Sequence, residues 1–84
     1  MSVAVQWDEV NPETGEKRFV SVDRFAHEWR FRVRARRREN WQVVRPTRAM
    51  LEELLDALER RLPRREGVTE VDVTAVRRMV ERAG

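Results

Sequence analysis

Arginines that alternate with apolar residues between Trp29 and Arg36 are the part of the sequence best suited to chemistry. The cationic set is Arg30, Arg32, Arg34 and Arg36, and the apolar set is Trp29, Phe31, Val33 and Ala35. A period of two is typical of an extended strand, whose successive side chains point to opposite faces of a sheet. The cations would lie about 7 Å apart along one face, here called the arginine face. This spacing is on the scale of the phosphate repeat of a nucleic-acid strand, so the pattern predicts a phosphate-binding surface.

Positive charge is concentrated around this stretch. Residues 27–48 contain eight arginines and two glutamates, a net charge of +6, whereas the whole chain carries +3. The predicted nucleic-acid-binding residues are Arg30, Arg32, Arg34, Arg36, Arg45 and Arg48. Arginine forms bidentate hydrogen bonds with phosphate, which suits such a site. Because only one of the 18 basic residues is a lysine, a genome-wide bias towards arginine is an alternative source of the pattern.

The aromatic residues argue against recognition of bases. Sheet-surface RNA-binding proteins stack bases on exposed aromatic side chains. The pattern instead places Trp29, Phe31 and Trp41 on the apolar face. Phe19 is the single aromatic residue that we expect on the arginine face. We therefore predict a small basic module that binds RNA or DNA phosphates without sequence preference.

Other interpretations of the arginine face remain open. The predicted register brings Asp8 and Asp23 onto the same face, where they would neutralise part of its charge. The face is then simply solvated, or it contacts an acidic protein partner. A homodimer is a further expectation, because so small a core is often supplemented by oligomerisation. It would use an edge strand, the helices or an offset packing, since two arginine faces repel each other.

The sequence does not indicate an enzyme. The single histidine, in His27–Glu28, lacks the second histidine of a zinc-protease helix. The carboxylates of Asp8–Glu9 and Glu52–Glu53 diverge in a strand or helix, so neither pair can share a proton. The chain has no cysteine and no glycine-rich phosphate loop. We expect no catalytic residue, no metal and no cofactor, and we expect a cytoplasmic protein without a signal peptide or membrane partner.

A hairpin is predicted around residues 11–16. Asn11 and Pro12 favour a type I turn, and Gly15 accepts the left-handed conformation that closes it. This loop fixes the register of the flanking strands. The expected partners are Glu9 with Arg18, Trp7 with Val20, and Val5 with Val22.

Two later connections are less sharply determined. Residues 22–29 carry a short helical stripe, but both flanks are extended, so we expect a bend at Arg24–Glu28 with at most one helical turn. The next loop is assigned to Arg38–Asn40, because Asn40 tolerates the left-handed conformation. This loop pairs Ala35 with Val43 and Arg37 with Trp41. A two-residue loop at Glu39–Asn40 is rejected because it would put Trp41 and Val43 on the arginine face.

The C-terminal part changes to a helical period. Thr47 is the expected N-cap of a helix that Pro63 and Gly67 end. A second helix begins after Thr69 or Thr74, and Thr69–Asp72 resembles a capping box. An alternative assigns Val71 and Val73 to a short edge strand.

The predicted fold class is α+β, with the order β-β-β-β-α-α in one domain, residues 1–84. A four-stranded antiparallel β-meander of two hairpins (1–46) would be packed on one face by two C-terminal helices (47–84). The predicted core comprises Trp7, Val20, Val22, Trp29, Phe31, Val33, Leu51, Leu54, Leu55, Leu58, Val76 and Met79.

Overall fold

The computed structural model describes residues 3–25, 28–36, 39–64 and 67–83. The chain divides after Arg45 into two compact units, a sheet unit and a helix unit. The strands are β1 (Ala4–Val10), β2 (Lys17–Phe25), β3 (Glu28–Arg34) and β4 (Gln42–Val44), and the helices are α1 (Arg48–Arg61) and α2 (Glu70–Ala83). All four strands are antiparallel neighbours in chain order. The predicted meander and two helices are confirmed, whereas the packing of the helices on the sheet stays a prediction.

The first hairpin has the predicted turn and register. The backbone N–H of Gly15 donates to the carbonyl of Asn11 at 2.7 Å, and the N–H of Asn11 donates to the carbonyl of Glu16 at 2.8 Å. The side-chain oxygen of Asn11 also accepts from the N–H of Glu13 at 2.9 Å. Gly15 has φ = 73°, the left-handed conformation that the turn requires. The observed partners include Glu9 with Arg18, Trp7 with Val20, and Val5 with Val22.

The pairing of β2 with β3 extends further than expected. Phe25 pairs with Glu28, so both strands continue further towards residues 26 and 27 than a bend over Arg24–Glu28 allows. Residues 26 and 27 lie outside the described residues. The helical stripe at residues 22–29 is not used as a helix, because Val22 pairs with Phe31 inside the sheet.

The predicted register between β3 and β4 is wrong. Val43 pairs with Arg32 instead of Ala35, and Val44 pairs with Phe31. The displacement is an odd number of residues, so it exchanges the faces on which the β4 side chains lie. Val44 thereby joins the apolar face, and Trp41 and Val43 join the arginine face. The predicted pairing of Arg37 falls outside the described residues.

One face of the sheet unit is buried. The buried side chains, at most 9% exposed, are Val3, Val5, Val20, Val22, Phe31 and Val33. Trp7 and Trp29, which we expected in the core, are only half-buried. Trp7 stays near the surface because its indole N–H donates to a carboxylate oxygen of Glu9 at 3.0 Å. Glu9 also accepts from Arg18 at 2.8 Å, so an ion pair borders the apolar face at this end.

The helix unit begins at the predicted cap. The hydroxyl of Thr47 accepts from the N–H of Met50 at 3.2 Å. The buried residues of α1 are Met50, Leu51, Leu54 and Leu58, whereas Leu55 is half-buried and the prediction of a core position for it is wrong. A 3-10 turn, Leu62–Arg64, follows the last turn of α1, and Gly67 has φ = 82°.

Helix α2 starts after Thr69 rather than Thr74. The N–H of Thr69 donates to Asp72 at 3.0 Å, and the N–H of Asp72 donates back to the Thr69 hydroxyl at 3.4 Å, as a capping box requires. The edge-strand alternative is wrong, because Val71 and Val73 are helical. Val73 and Val76 are buried, while Met79 is half-buried. The two helices are in contact, and Arg77 donates to Glu59 between them at 3.3 Å. Neither described helix is long and apolar enough to cross a membrane.

Replacement of Gly15 should destabilise the chain through the backbone alone. A Cβ at this position would meet no atom within 4 Å, so the cost of Gly15→Ala is the left-handed penalty, about 1–2 kcal/mol. Gly15→Asn should cost less, because Asn tolerates this conformation. Urea denaturation of the three proteins measures the difference. Equal stability of Gly15→Ala and the wild type would contradict the turn assignment.

Two adjacent leucines of α1 should differ in their contribution to stability. Leu54 is fully buried, so Leu54→Ala should lower the free energy of unfolding by about 2–5 kcal/mol. Leu55→Ala removes the same atoms from a half-buried position and should cost clearly less. Thermal or urea unfolding of both variants compares them directly, and equal losses would mean that the two side chains are equally buried in solution.

Candidate binding site on the arginine face

Strand β3 presents three of the predicted arginines side by side on the arginine face. Its partners in β2 are Asp23 opposite Arg30, Ser21 opposite Arg32, and Phe19 opposite Arg34. Arg30 is exposed, and Arg32 and Arg34 are partly exposed. The arrangement follows from the alternation of β3, because Phe31 and Val33 are buried on the other face.

Arg34 lies against two aromatic rings. Its guanidinium carbon is 4.3 Å from the ring centroid of Trp41 and 5.9 Å from that of Phe19. Both distances are within the range of a cation–π attraction, and the Trp41 contact is the closer. The prediction that Trp41 lies on the apolar face is therefore wrong. The two-residue loop at Glu39–Asn40, which the sequence analysis rejected, would have placed Trp41 on the arginine face correctly.

A third aromatic ring lies at the opposite end of the face. The guanidinium carbon of Arg30 is 5.7 Å from the ring centroid of Phe25, and Phe25 is 63% exposed. Phe25 ends β2, and the sequence alone does not say whether that strand reaches so far. The arginine face thus carries Phe19, Phe25 and Trp41 where the sequence predicted only Phe19. The rings contact the two end arginines of the row, Arg30 and Arg34.

Arg32 occupies the centre of the face with few contacts of its own. One guanidinium nitrogen is 3.9 Å from a carboxylate oxygen of Asp23, at the outer limit of an ion pair. Its Nε is buried and has no hydrogen-bond acceptor among the described residues. A buried donor without an acceptor costs free energy, so this Nε does not stabilise the fold.

Carboxylates offset part of the charge of this face. The alternation of the paired strands puts Lys17, Arg30, Arg32 and Arg34 together with Asp8, Asp23 and Glu28. Lys17 pairs with Asp8 at 3.2 Å, and both side chains are about half exposed or more. The prediction that Asp8 and Asp23 share the arginine face agrees with the register. The face keeps a small excess of positive charge.

The other three predicted arginines are placed differently. Arg36 follows the end of β3 and is exposed, and Arg45 follows β4 and is also exposed. Arg48 belongs to the helix unit, where its Nε donates to Glu52 at 3.0 Å. The membership of Arg48 in a site with the sheet arginines stays a prediction. Arg37 and Arg38 lie outside the described residues.

Exposed apolar side chains also lie on the arginine face. Val10 is 64% exposed and Val43 is 74% exposed, and both are on this side of the sheet by register. With Phe25, they are three of the four exposed large hydrophobic residues of the described chain. The fourth, Val71, belongs to the helix unit. The arginine face is therefore an amphipathic surface rather than a purely cationic one.

Among the described residues, no group of three or more His, Cys, Asp or Glu side chains is placed to hold a metal ion. His27 lies outside the described residues. Comparison of the chain with protein-family models, curated proteins and solved structures finds no match.

Proposed function

We propose that this protein is a binding module whose arginine face holds nucleic-acid phosphates without sequence preference. The observation that carries the proposal is the row of Arg30, Arg32 and Arg34 on one face of β3. Successive members of the row are about 7 Å apart along the strand. A flexible phosphate backbone can follow such a row, with each guanidinium donating to phosphate oxygens.

The contacts of these arginines suit the binding of a ligand better than the stabilisation of the fold. Arg30 contacts a phenylalanine ring rather than a carboxylate among the described residues, and the Asp23 contact of Arg32 is a long one. Aromatic rings hold a guanidinium in place while leaving its N–H groups able to donate. Arg36 and Arg45, both exposed, add two further cations to the sheet unit.

A second candidate function is contact with an acidic protein. The observation that favours it is the exposure of Val10, Phe25 and Val43 on the same face. Protein interfaces are enriched in aromatic residues and arginine, and their centres are apolar. A second copy of the chain is a poorer partner for this face, since the arginines of two copies would repel each other.

Nucleic-acid binding should weaken steeply with salt. If three to five phosphates are contacted, log affinity should fall with log salt at a slope of about −2 to −4.5, since each contact contributes about −0.7 to −0.9. Fluorescence anisotropy with mixed-sequence DNA and RNA between about 50 and 200 mM salt measures the slope. The slope and affinity should change little with sequence, because phosphate contacts carry no sequence information.

A charge-matched pair of double variants tests the location of the site. Arg30→Glu with Arg32→Glu should abolish binding at about 50 mM salt while the protein folds normally, since Arg30 is exposed and Arg32, which is partly exposed, has only a long ion pair with Asp23. Arg78→Glu with Arg82→Glu makes the same change of charge on exposed positions of α2 and should leave most of the binding intact. Equal losses in the two variants would mean that net charge, not the arginine face, attracts the ligand. Absence of binding by the wild type at this salt concentration would refute the proposal, and capture of an acidic protein that the first variant abolishes would favour the second candidate.

A further inference from the structure

We infer that the ligand of the arginine face is single-stranded nucleic acid whose bases stack on Trp41 and Phe25. The inference rests on the proposed function and deepens it. It starts from the register of β4, which brings an aromatic ring to Arg34 at one end of the row, while β2 brings another to Arg30 at the other end. Arg34 and Arg30 are four residues apart in β3, which corresponds to about 13 Å.

The rings are accessible enough to meet a base. Phe25 is 63% exposed, and Trp41 is half-buried. The guanidinium of Arg34 approaches the Trp41 ring at 4.3 Å and so fixes the position of the indole. A base that stacks on the exposed part of this ring lies beside a cation that can hold the adjoining phosphate.

The shape of the surface favours a single strand over a duplex. In a duplex the bases stack on one another and offer no free face to an aromatic side chain. The major groove admits a protruding helix or a two-stranded ribbon, whereas the arginine face is the broad side of a four-stranded sheet. Open sheets with exposed aromatic residues are suited to unstacked bases, and every base has a face that can stack, so sequence matters little.

The central position of Arg32 completes the arrangement. It lies between the two aromatic ends of the row, and its loose ion pair with Asp23 leaves it able to contact phosphate. The inferred nucleic-acid strand therefore runs along β3, with its phosphates bound by the arginines and its bases stacked on Phe25 and Trp41. Val43, opposite Arg32 and 74% exposed, adds apolar contact beside this path.

The test compares one single-stranded oligonucleotide with its own duplex. A mixed-sequence strand of about 12 nucleotides lies within the 4–16 that a comparable surface covers. Its affinity for the wild type should exceed that of the duplex at about 50 mM salt. Trp41→Leu keeps apolar bulk but removes the aromatic face, and should weaken single-strand binding roughly 5- to 150-fold. Its duplex affinity and salt slope should stay unchanged, because the arginines remain.

Three further variants keep the result interpretable. Val71→Ala is the control, because it removes equally exposed apolar atoms from helix α2, outside the arginine face, and it should have little effect. Phe25→Leu repeats the test at the other end of the row and covers the case in which Trp41→Leu does not fold. Trp41→Phe should recover part of the lost affinity.

The possible results distinguish this inference from the proposed function, phosphate binding, on which it rests. Equal binding of strand and duplex, with no effect of either aromatic variant, would overturn the inference and leave phosphate binding intact. Absence of binding to both would overturn the proposed function as well. Binding of polyglutamate as tightly as the single strand would also contradict the inference, since that polymer has charge but no bases.

Discussion

Strand β3 carries the constraint on which the rest of the sheet unit depends. Phe31 is 1% exposed and Val33 is 9% exposed on one face, while Arg30, Arg32 and Arg34 lie on the other. A slip of one residue would bury the arginines and expose the apolar residues, which would cost far more than any loop can recover. The pairs Val20–Val33 and Val22–Phe31 therefore fix β2 against β3. The cations lie together on the arginine face because the apolar residues of β3 occupy the other face.

The register of β4 decides what kind of surface this arrangement produces. A pairing of Ala35 with Val43 would have left a row of cations with one aromatic ring. The observed pairing of Phe31 with Val44 puts a half-buried valine opposite a buried phenylalanine and brings Trp41 to Arg34. The surface then combines hydrogen-bond donors, aromatic rings and exposed apolar groups. Such a combination suits a ligand that has both charged and flat apolar parts, as single-stranded nucleic acid does.

Local chemistry made much of the fold predictable from the sequence. The turn at Asn11–Gly15, the cap at Thr47 and the capping box at Thr69 each depend on a few neighbouring residues, and all three are confirmed. The alternation of β3 placed three arginines on one face correctly. These features need no knowledge of distant parts of the chain.

The errors arise where distant contacts outweigh local preference. The turn preference of Asn40 suggested a three-residue loop, but the pairing of Val44 with Phe31 and the contact of Trp41 with Arg34 join residues far from that turn. The alternation of β2 puts Phe25 on the arginine face only if the strand extends that far, and the preference for the three-residue loop moved Trp41 to the other face, so both rings were missed. Leu55 lies on the margin of a helical stripe, where periodicity does not separate buried from half-buried positions.

The most direct measurement of the central claim is an NMR titration of the labelled protein with a single-stranded oligonucleotide. The account predicts that the side-chain signals of Arg30, Arg32 and Arg34 and the indole N–H of Trp41 shift together with one affinity. Signals from the exposed side of α2, such as those of Arg78, should stay unchanged. Shifts confined to the helix unit, or none at saturating oligonucleotide and low salt, would contradict the claim that the arginine face is the binding surface.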